Sequence, residues 1–347
     1  MIHRLSNFEL LRIIAMFMII AVHADYWILG IPSIEEFEVA PIGTITRIFI
    51  EQLTVVGVNI FVLISGWFGI RPSTKSFLSL CFQVIFYLLG VYVIGIVFGF
   101  TQFSIKQLAQ CFLFTHSYWF VKAYIALLIM APILNKFIES VNKKTFATTL
   151  VLLYGFQFVY GWINSEVWIA QGYSAFSFIA LYLLARYVRL YNKNWMMSPK
   201  LGLAIYIYSS ILATLLGILG TCYDLPIITT LMVSYVSPLV VAGSIGLLLQ
   251  FSNLAISYSP KINFIARSTF AVYLFPCFYI SDYIYKYLFI SIYNDYYGIT
   301  VIGLIFVILI ALYLISIAID QIRIWSWNLI WSSLENRINK SLRKINI

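Results

Sequence analysis

The sequence predicts an all-α integral membrane protein of about ten transmembrane helices with both termini cytoplasmic, and three observations carry that expectation. Hydrophobic residues make up 62% of 347 positions, charged residues 10%, and the mean hydropathy is +0.93. A soluble domain of this size carries roughly a quarter charged residues, so a chain this apolar needs lipid to cover its surface. The apolar residues also fall into runs close to the roughly 20 residues that cross a bilayer as a helix. Basic and acidic loops alternate along the chain, as the positive-inside rule requires.

The expected spans are approximately 8–29, 45–67, 77–100, 118–135, 146–163, 174–191, 201–220, 227–250, 265–289 and 299–325. Between the third and fourth, SIKQLAQCFLF reads as a short helix lying in the interface. No internal repeat and no linker divides the chain, so residues 1–330 form one expected domain, followed by a short basic tail at 331–347. Arg12 interrupts the first apolar run and no small-residue cleavage site follows it, so that run is expected to remain as a helix.

With both ends inside, the inner side receives Arg71, Lys75, Lys136, Lys143, Lys144, Arg186, Arg189, Lys193, Lys200, Lys261 and Arg267, then the tail Arg337, Lys340, Arg343 and Lys344. The outer side receives Glu35, Glu36, Glu38, Glu166, Asp224 and Asp295, with few bases beyond Arg47 and Lys106. This distribution accounts for the net charge of +9 without a nucleic-acid partner. The four cysteines, Cys81, Cys111, Cys222 and Cys277, show no pairing or ligand spacing.

Ionisable groups inside a span are costly and tend to face a cavity or a partner. The first span, NFELLRIIAMFMIIAVHADYW, holds Arg12 and His23. Eleven residues make three turns with about 20° of residual rotation, so both lie on one face, roughly 16 Å apart along the axis. Glu9 sits one turn from Arg12, and Met16, Ile19 and Ile20 fill the interval. A planar guanidinium suits phosphate or carbonyl oxygens, and an imidazole suits general-base work near neutral pH. The same residues also read as a snorkelling arginine and a histidine bonded to a neighbouring helix. Asp25 points to a different face from His23, because residues two apart on a helix do not meet.

Four segments together resemble the membrane-bound acyltransferase-3 family. Arg12 and His23 match its R-x10-H signature in the first helix. VNIFVLISGWF (58–68) is similar to its S-G-F element, with Trp67 in place of phenylalanine. HSYWFVKAYI (116–125) resembles its W-F-x-x-x-Y stretch, and IARSTFAVYLFP (265–276) resembles its late element ending in Tyr-Leu. Many members follow that last element with a histidine, whereas Phe275 and Pro276 stand here.

The resemblance implies an O-acyltransferase that moves an acetyl group from cytoplasmic acetyl-CoA to a hydroxyl of a cell-surface glycan or related carbohydrate. His23 and Arg12 would then be the catalytic pair. Arg12, Glu9, Ser65, Gly66, Arg71 and Lys75 are the candidate donor-binding residues, although Arg71 and Lys75 also read as ordinary inner-side charge. Ser65 and Gly66 also read as small residues that let helices approach. His116, Trp119, Lys122 and Tyr124 are the candidate acceptor-binding residues, with an aromatic interface belt as the structural alternative. Asp282 with Lys286, and Asp320 with Arg323, read as self-neutralising pairs on one helix face.

No phosphate loop, zinc-ligand cluster or nucleophile elbow appears, so no metal and no resident cofactor is expected. The runner-up function is a transporter or flippase for a glycan or lipid intermediate. Frequent Ile, Asn, Lys and Tyr point to an AT-rich genome, and a bacterial inner membrane is the expected location. The sequence leaves the oligomeric state and the particular acceptor open.

Overall fold

A computed structural model describes residues 5–113, 118–191, 198–276, 279–296 and 298–345, without the side chains of 279–283 and 336–345. The described residues are helical, with no strand among them. The first helix, α1, is Ser6–Ala24, followed by the short α2 (Tyr26–Leu29) and α3 (Ile34–Val39). Next come α4 (Pro41–Thr54), α5 (Gly57–Phe68), α6 (Thr74–Val97) and α7 (Ile105–Leu113). The middle of the chain forms α8 (Trp119–Ser140), α9 (Lys143–Phe156), α10 (Ala175–Tyr191) and α11 (Pro199–Cys222). The last third forms α12 (Pro226–Val233), α13 (Pro238–Ser252), α14 (Pro260–Arg267), α15 (Thr269–Leu274), α16 (Tyr279–Asp295) and α17 (Ile299–Ile345).

Local chemistry sets these boundaries. Pro41, Pro199, Pro226, Pro238 and Pro260 each open a helix, where the missing N–H costs nothing. Asn142 caps α9 by accepting from the amide of Thr145 at 2.9 Å. Ser73 and Ser76 form a reciprocal capping box at the start of α6. The SIKQLAQCFLF segment forms the separate short helix α7, with Cys111 buried and Phe112 and Leu113 exposed.

Eight helical stretches among the described residues are long and apolar enough to cross a membrane. Two expected spans fall outside that set. The sixth, α10, has only 17 residues. The ninth is divided into α14, α15 and α16, because Ser268 leaves the helical path with ψ near 5° and Pro276 cannot continue α15. The last helix outruns its expected end: α17 has 47 residues, and the basic tail continues it as helix as far as Ile345.

The centre of the bundle is α1, which packs against α4, α5, α13, α14, α15 and α17. Close approach requires glycine twice on α5. A Cβ on Gly57 would stand 2.7 Å from the carbonyl oxygen of Ala15, and one on Gly66 would stand 2.6 Å from that of Tyr182. These positions set α5 directly against α1 and α10, the small-residue packing that membrane helices use. Gly57 faces the middle of α1 while Phe8 meets Trp67 and Phe68. The two helices are therefore antiparallel.

A buried ion pair ties α17 to α6. Arg323 donates twice to Asp320, at 2.9 and 2.7 Å, and the hydroxyl of Tyr87 reaches the same carboxylate at 3.2 Å. The pairing expected from sequence forms, and it is shared with a second helix. Of the other expected pair, Asp282 lies outside the described side chains, and the Lys286 ammonium sits 5.3 Å from the centre of the Trp27 ring.

Candidate active site

Arg12 and His23 both lie on α1, at opposite ends. At the Arg12 end, the guanidinium donates to Glu9 at 2.5 Å. Glu9 is buried and the Arg12 side chain is 29% exposed, so the acid anchors a cation that still reaches solvent. Met16, Ile19 and Ile20 between them are buried in the apolar core, so the face joining Arg12 to His23 is packed.

The His23 ring is oriented by its own helix. Its Nδ1 lies 2.7 Å from the carbonyl oxygen of Ile19. A carbonyl can only accept, so Nδ1 carries the proton and Nε2 of the neutral ring carries the lone pair. The ring meets Trp27 and the edge of Tyr273, each with centroids 6.3 Å apart. Tyr273 belongs to the late Tyr-Leu element, so folding brings the first and last sequence signatures together. The start of α8 joins them, since Tyr118 donates to the carbonyl of Leu274 at 2.5 Å.

Asp25 is turned to a different task. It accepts from Arg47 at 2.7 Å and hydrogen-bonds Tyr293. Arg47 also holds the carbonyl of Gly30 at 3.0 Å and the carboxylate of Glu36. Behind this network lies Glu51, buried within the second apolar run. Glu51 carries in the sequence the signal that singled out Arg12 and His23, an ionisable group inside an apolar span.

The expected donor-binding residues gather only in part. Ser65 donates to the carbonyl of Phe61 and contacts the hydroxyl of Tyr124, both at 3.1 Å. Gly66 faces α10, where its lack of a side chain admits Tyr182 and Ala185. Arg71 is exposed, and the ammonium of Lys75 sits 5.0 Å from the centre of the Trp331 ring. Two further cations reach the same end. Arg186 donates to the carbonyl of Trp67 at 3.3 Å, and Arg189 lies 4.9 Å above the Trp67 ring. Beside them, Ser73, Thr74, Ser76, Tyr124, Leu128 and Pro132 line a cavity of about 510 Å³ between α6 and α8.

The expected acceptor-binding residues separate. Trp119 packs in an aromatic group with Tyr173, at 4.4 Å, and Tyr235, at 5.7 Å and nearly parallel. Tyr124, about 140° further round the helix, joins Ser65 and the cavity instead. Lys122 is exposed, and His116 lies outside the described residues.

An apolar bundle with eight helical stretches long enough to cross a membrane among its described residues is a multi-pass membrane protein, with the His23 imidazole at one end of a central helix and clustered cations and a wide cavity at the other. The chain matches the acyltransferase 3 family, an acyltransferase domain, over residues 5–320, nearly its whole length, and it belongs to that family. It is therefore a membrane acyltransferase. Neither a curated protein nor a solved structure matches it.

Proposed function

We propose that this acyltransferase moves an acetyl group from acetyl-CoA, on the cytoplasmic side, to a hydroxyl of a surface carbohydrate, with His23 as the general base. The observation that carries this reading is the tautomer of His23: with Nδ1–H held by the Ile19 carbonyl, Nε2 can accept a proton. The acceptor hydroxyl gives its proton to Nε2 as its oxygen attacks the thioester carbonyl. Collapse of the tetrahedral intermediate breaks the C–S bond, and the imidazolium returns the proton to the departing thiolate. The products are an acetyl ester and CoA, and the base is regenerated.

Support for the donor side comes from the other end of α1. Arg12, held by Glu9, stands with Arg71, Lys75, Arg186 and Arg189 at the end of the molecule where the 510 Å³ cavity lies. CoA phosphates suit these cations. The packed Met16, Ile19 and Ile20 side chains block a path straight along α1. The thin pantetheine arm is therefore assigned to the cavity beside Tyr124, which the packed rings of Phe120 and Tyr273 join to His23. Ser65 is already engaged by Phe61 and Tyr124, which favours direct transfer over a serine-linked acyl-enzyme.

The test needs no acceptor. Thermal unfolding of detergent-purified protein is recorded with and without acetyl-CoA, for wild type and Arg12→Ala. A ligand that binds only the folded state raises stability by about 2.7 kcal/mol at a hundredfold excess over Kd. A rise in wild type that is lost in Arg12→Ala is the expected result. A well-folded wild type that ignores acetyl-CoA would remove this reading and favour a transporter.

A further inference from the structure

Glu51 is used neither by the helix packing nor by the transfer chemistry described above. It is 6% exposed, and among the described residues neither carboxylate oxygen meets a hydrogen-bond donor. Gln52 beside it is 4% exposed, and its side-chain oxygen also meets none. Both line a cavity of about 30 Å³ with Asp25, Tyr26, Arg47 and Thr229. That volume takes a water or a single hydroxymethyl arm of a larger molecule.

The charge of this wall restricts what it can bind. Its guanidinium, on Arg47, is already engaged by Asp25, Glu36 and the Gly30 carbonyl. The unmatched buried atoms of the wall are two oxygens on Glu51 and one on Gln52. Burying a carboxyl group without a partner costs free energy, and orphaned buried polar atoms at a cavity wall call for a hydrogen-bonding group from outside. The matching group must hydrogen-bond these oxygens and carry no negative charge, because the Arg47 guanidinium is already taken. Tyr26, Thr221 and Thr229 line the same cavity. A ring and hydroxyls of this kind suit a polyhydroxylated ligand, and Asp25 places the cavity two residues beyond His23 in the chain.

We propose that Glu51, supported by Gln52, is an acceptor-positioning site that accepts a hydrogen bond from a hydroxyl of a neutral sugar. This hydroxyl is distinct from the one His23 deprotonates, so the acceptor presents at least two. A uronic or other acidic sugar is refused because Arg47, the cation of this wall, is already engaged and leaves the sugar's carboxylate without a counter-charge. The proposal rests on the O-acyltransferase reading for the reaction, and it moves acceptor recognition from Lys122 and Tyr124 to the second apolar run.

The test is thermal unfolding of the full chain in detergent with methyl glycosides of glucose, galactose, mannose and N-acetylglucosamine. Methyl glucuronide and glucosamine are run beside them, and acetyl-CoA is run separately. A neutral glycoside is expected to raise the melting temperature of wild type, with methyl glucuronide giving no rise. In Glu51→Gln, which keeps the shape, the sugar concentration for half the effect rises about tenfold, as for the loss of one hydrogen bond. If that variant fails to fold, Gln52→Leu reads the same shift. The proposal is overturned if Glu51→Gln responds like wild type, if the glucuronide stabilises as well as the neutral sugars, or if glucosamine alone stabilises. It is also overturned if no neutral sugar acts on a wild type that acetyl-CoA does stabilise. Sugar shifts that depend on Glu51, with no response to acetyl-CoA, would keep the site and discard the acyltransferase reading.

Discussion

The imidazole of His23 is held by the carbonyl oxygen of Ile19, one turn back on the same helix and 2.7 Å from Nδ1. A backbone acceptor fixes the tautomer as firmly as an acid would, but it adds no negative charge to stabilise an imidazolium. Nε2 is thus the ring nitrogen left to take the acceptor's proton, and the proposed thioester is already activated for attack. His23→Gln should lower the acetyl-transfer rate about 10²–10⁴-fold, the usual worth of general-base catalysis. The stabilisation of the folded protein by acetyl-CoA should persist. Transfer at the wild-type rate in membranes carrying this variant would end the assignment of His23 as the base.

Arg12 presents its guanidinium because Glu9, buried beneath it, accepts at 2.5 Å. Arg12→Lys keeps the charge but loses the planar fork that grips phosphate oxygens. We expect donor affinity to fall about tenfold, as for the loss of one charge-assisted hydrogen bond. Glu9→Gln should weaken the donor in the same direction by releasing the guanidinium from its position. The acetyl-CoA dependence of the melting temperature measures both. Donor affinity unchanged in Arg12→Lys would assign Arg12 to the membrane surface rather than to CoA.

The first helix was legible because helical periodicity alone puts Arg12 and His23 on one face, and it also ruled out Asp25 as the partner of His23. The Asp320–Arg323 pair was legible for the same reason. Contacts between helices were not. The link from Ser65 to Tyr124 and the meeting of His23 with Tyr273 join positions far apart in the chain, and nothing local encodes them. The packing of Met16, Ile19 and Ile20 closed a slot that periodicity had left open, since a helical face does not say what lies against it. Glu51 was missed for a different reason: its charge was visible, but its buried, unmatched oxygens appear only once α4 is placed.

The pair of Asp320 and Arg323 makes a stability prediction. Both are buried, and Tyr87 from α6 shares the carboxylate. Arg323→Met leaves that acid without its cation and should destabilise the protein by about 3–5 kcal/mol. Tyr87→Phe removes one hydrogen bond and should cost about 1 kcal/mol. The double change Asp320→Leu with Arg323→Met should recover most of the loss, because no uncompensated charge stays buried. Thermal unfolding of the three variants checks this order, and equal destabilisation in the single and double changes would contradict it.

Gly66 separates helix packing from donor binding. Its absent side chain faces α10, where a Cβ would stand 2.6 Å from the Tyr182 carbonyl oxygen and 2.8 Å from the Ala185 side chain. Neither neighbour can give way easily, one being backbone and the other a methyl on a packed helix. Gly66→Ala should therefore push α5 from α10 and lower stability by about 1–3 kcal/mol. Tyr182 also holds the loop after α5, through the amide of Ile70 at 3.1 Å and Asn135 at 2.5 Å. A displaced α10 should thus loosen the segment that carries Arg71 and Lys75. The measurement is a melting curve at several acetyl-CoA concentrations. A lower melting temperature with a weaker donor response would show that α10 seats the donor loop. A lower melting temperature with an unchanged response would confine Gly66 to packing and place the donor phosphates away from Arg71 and Lys75.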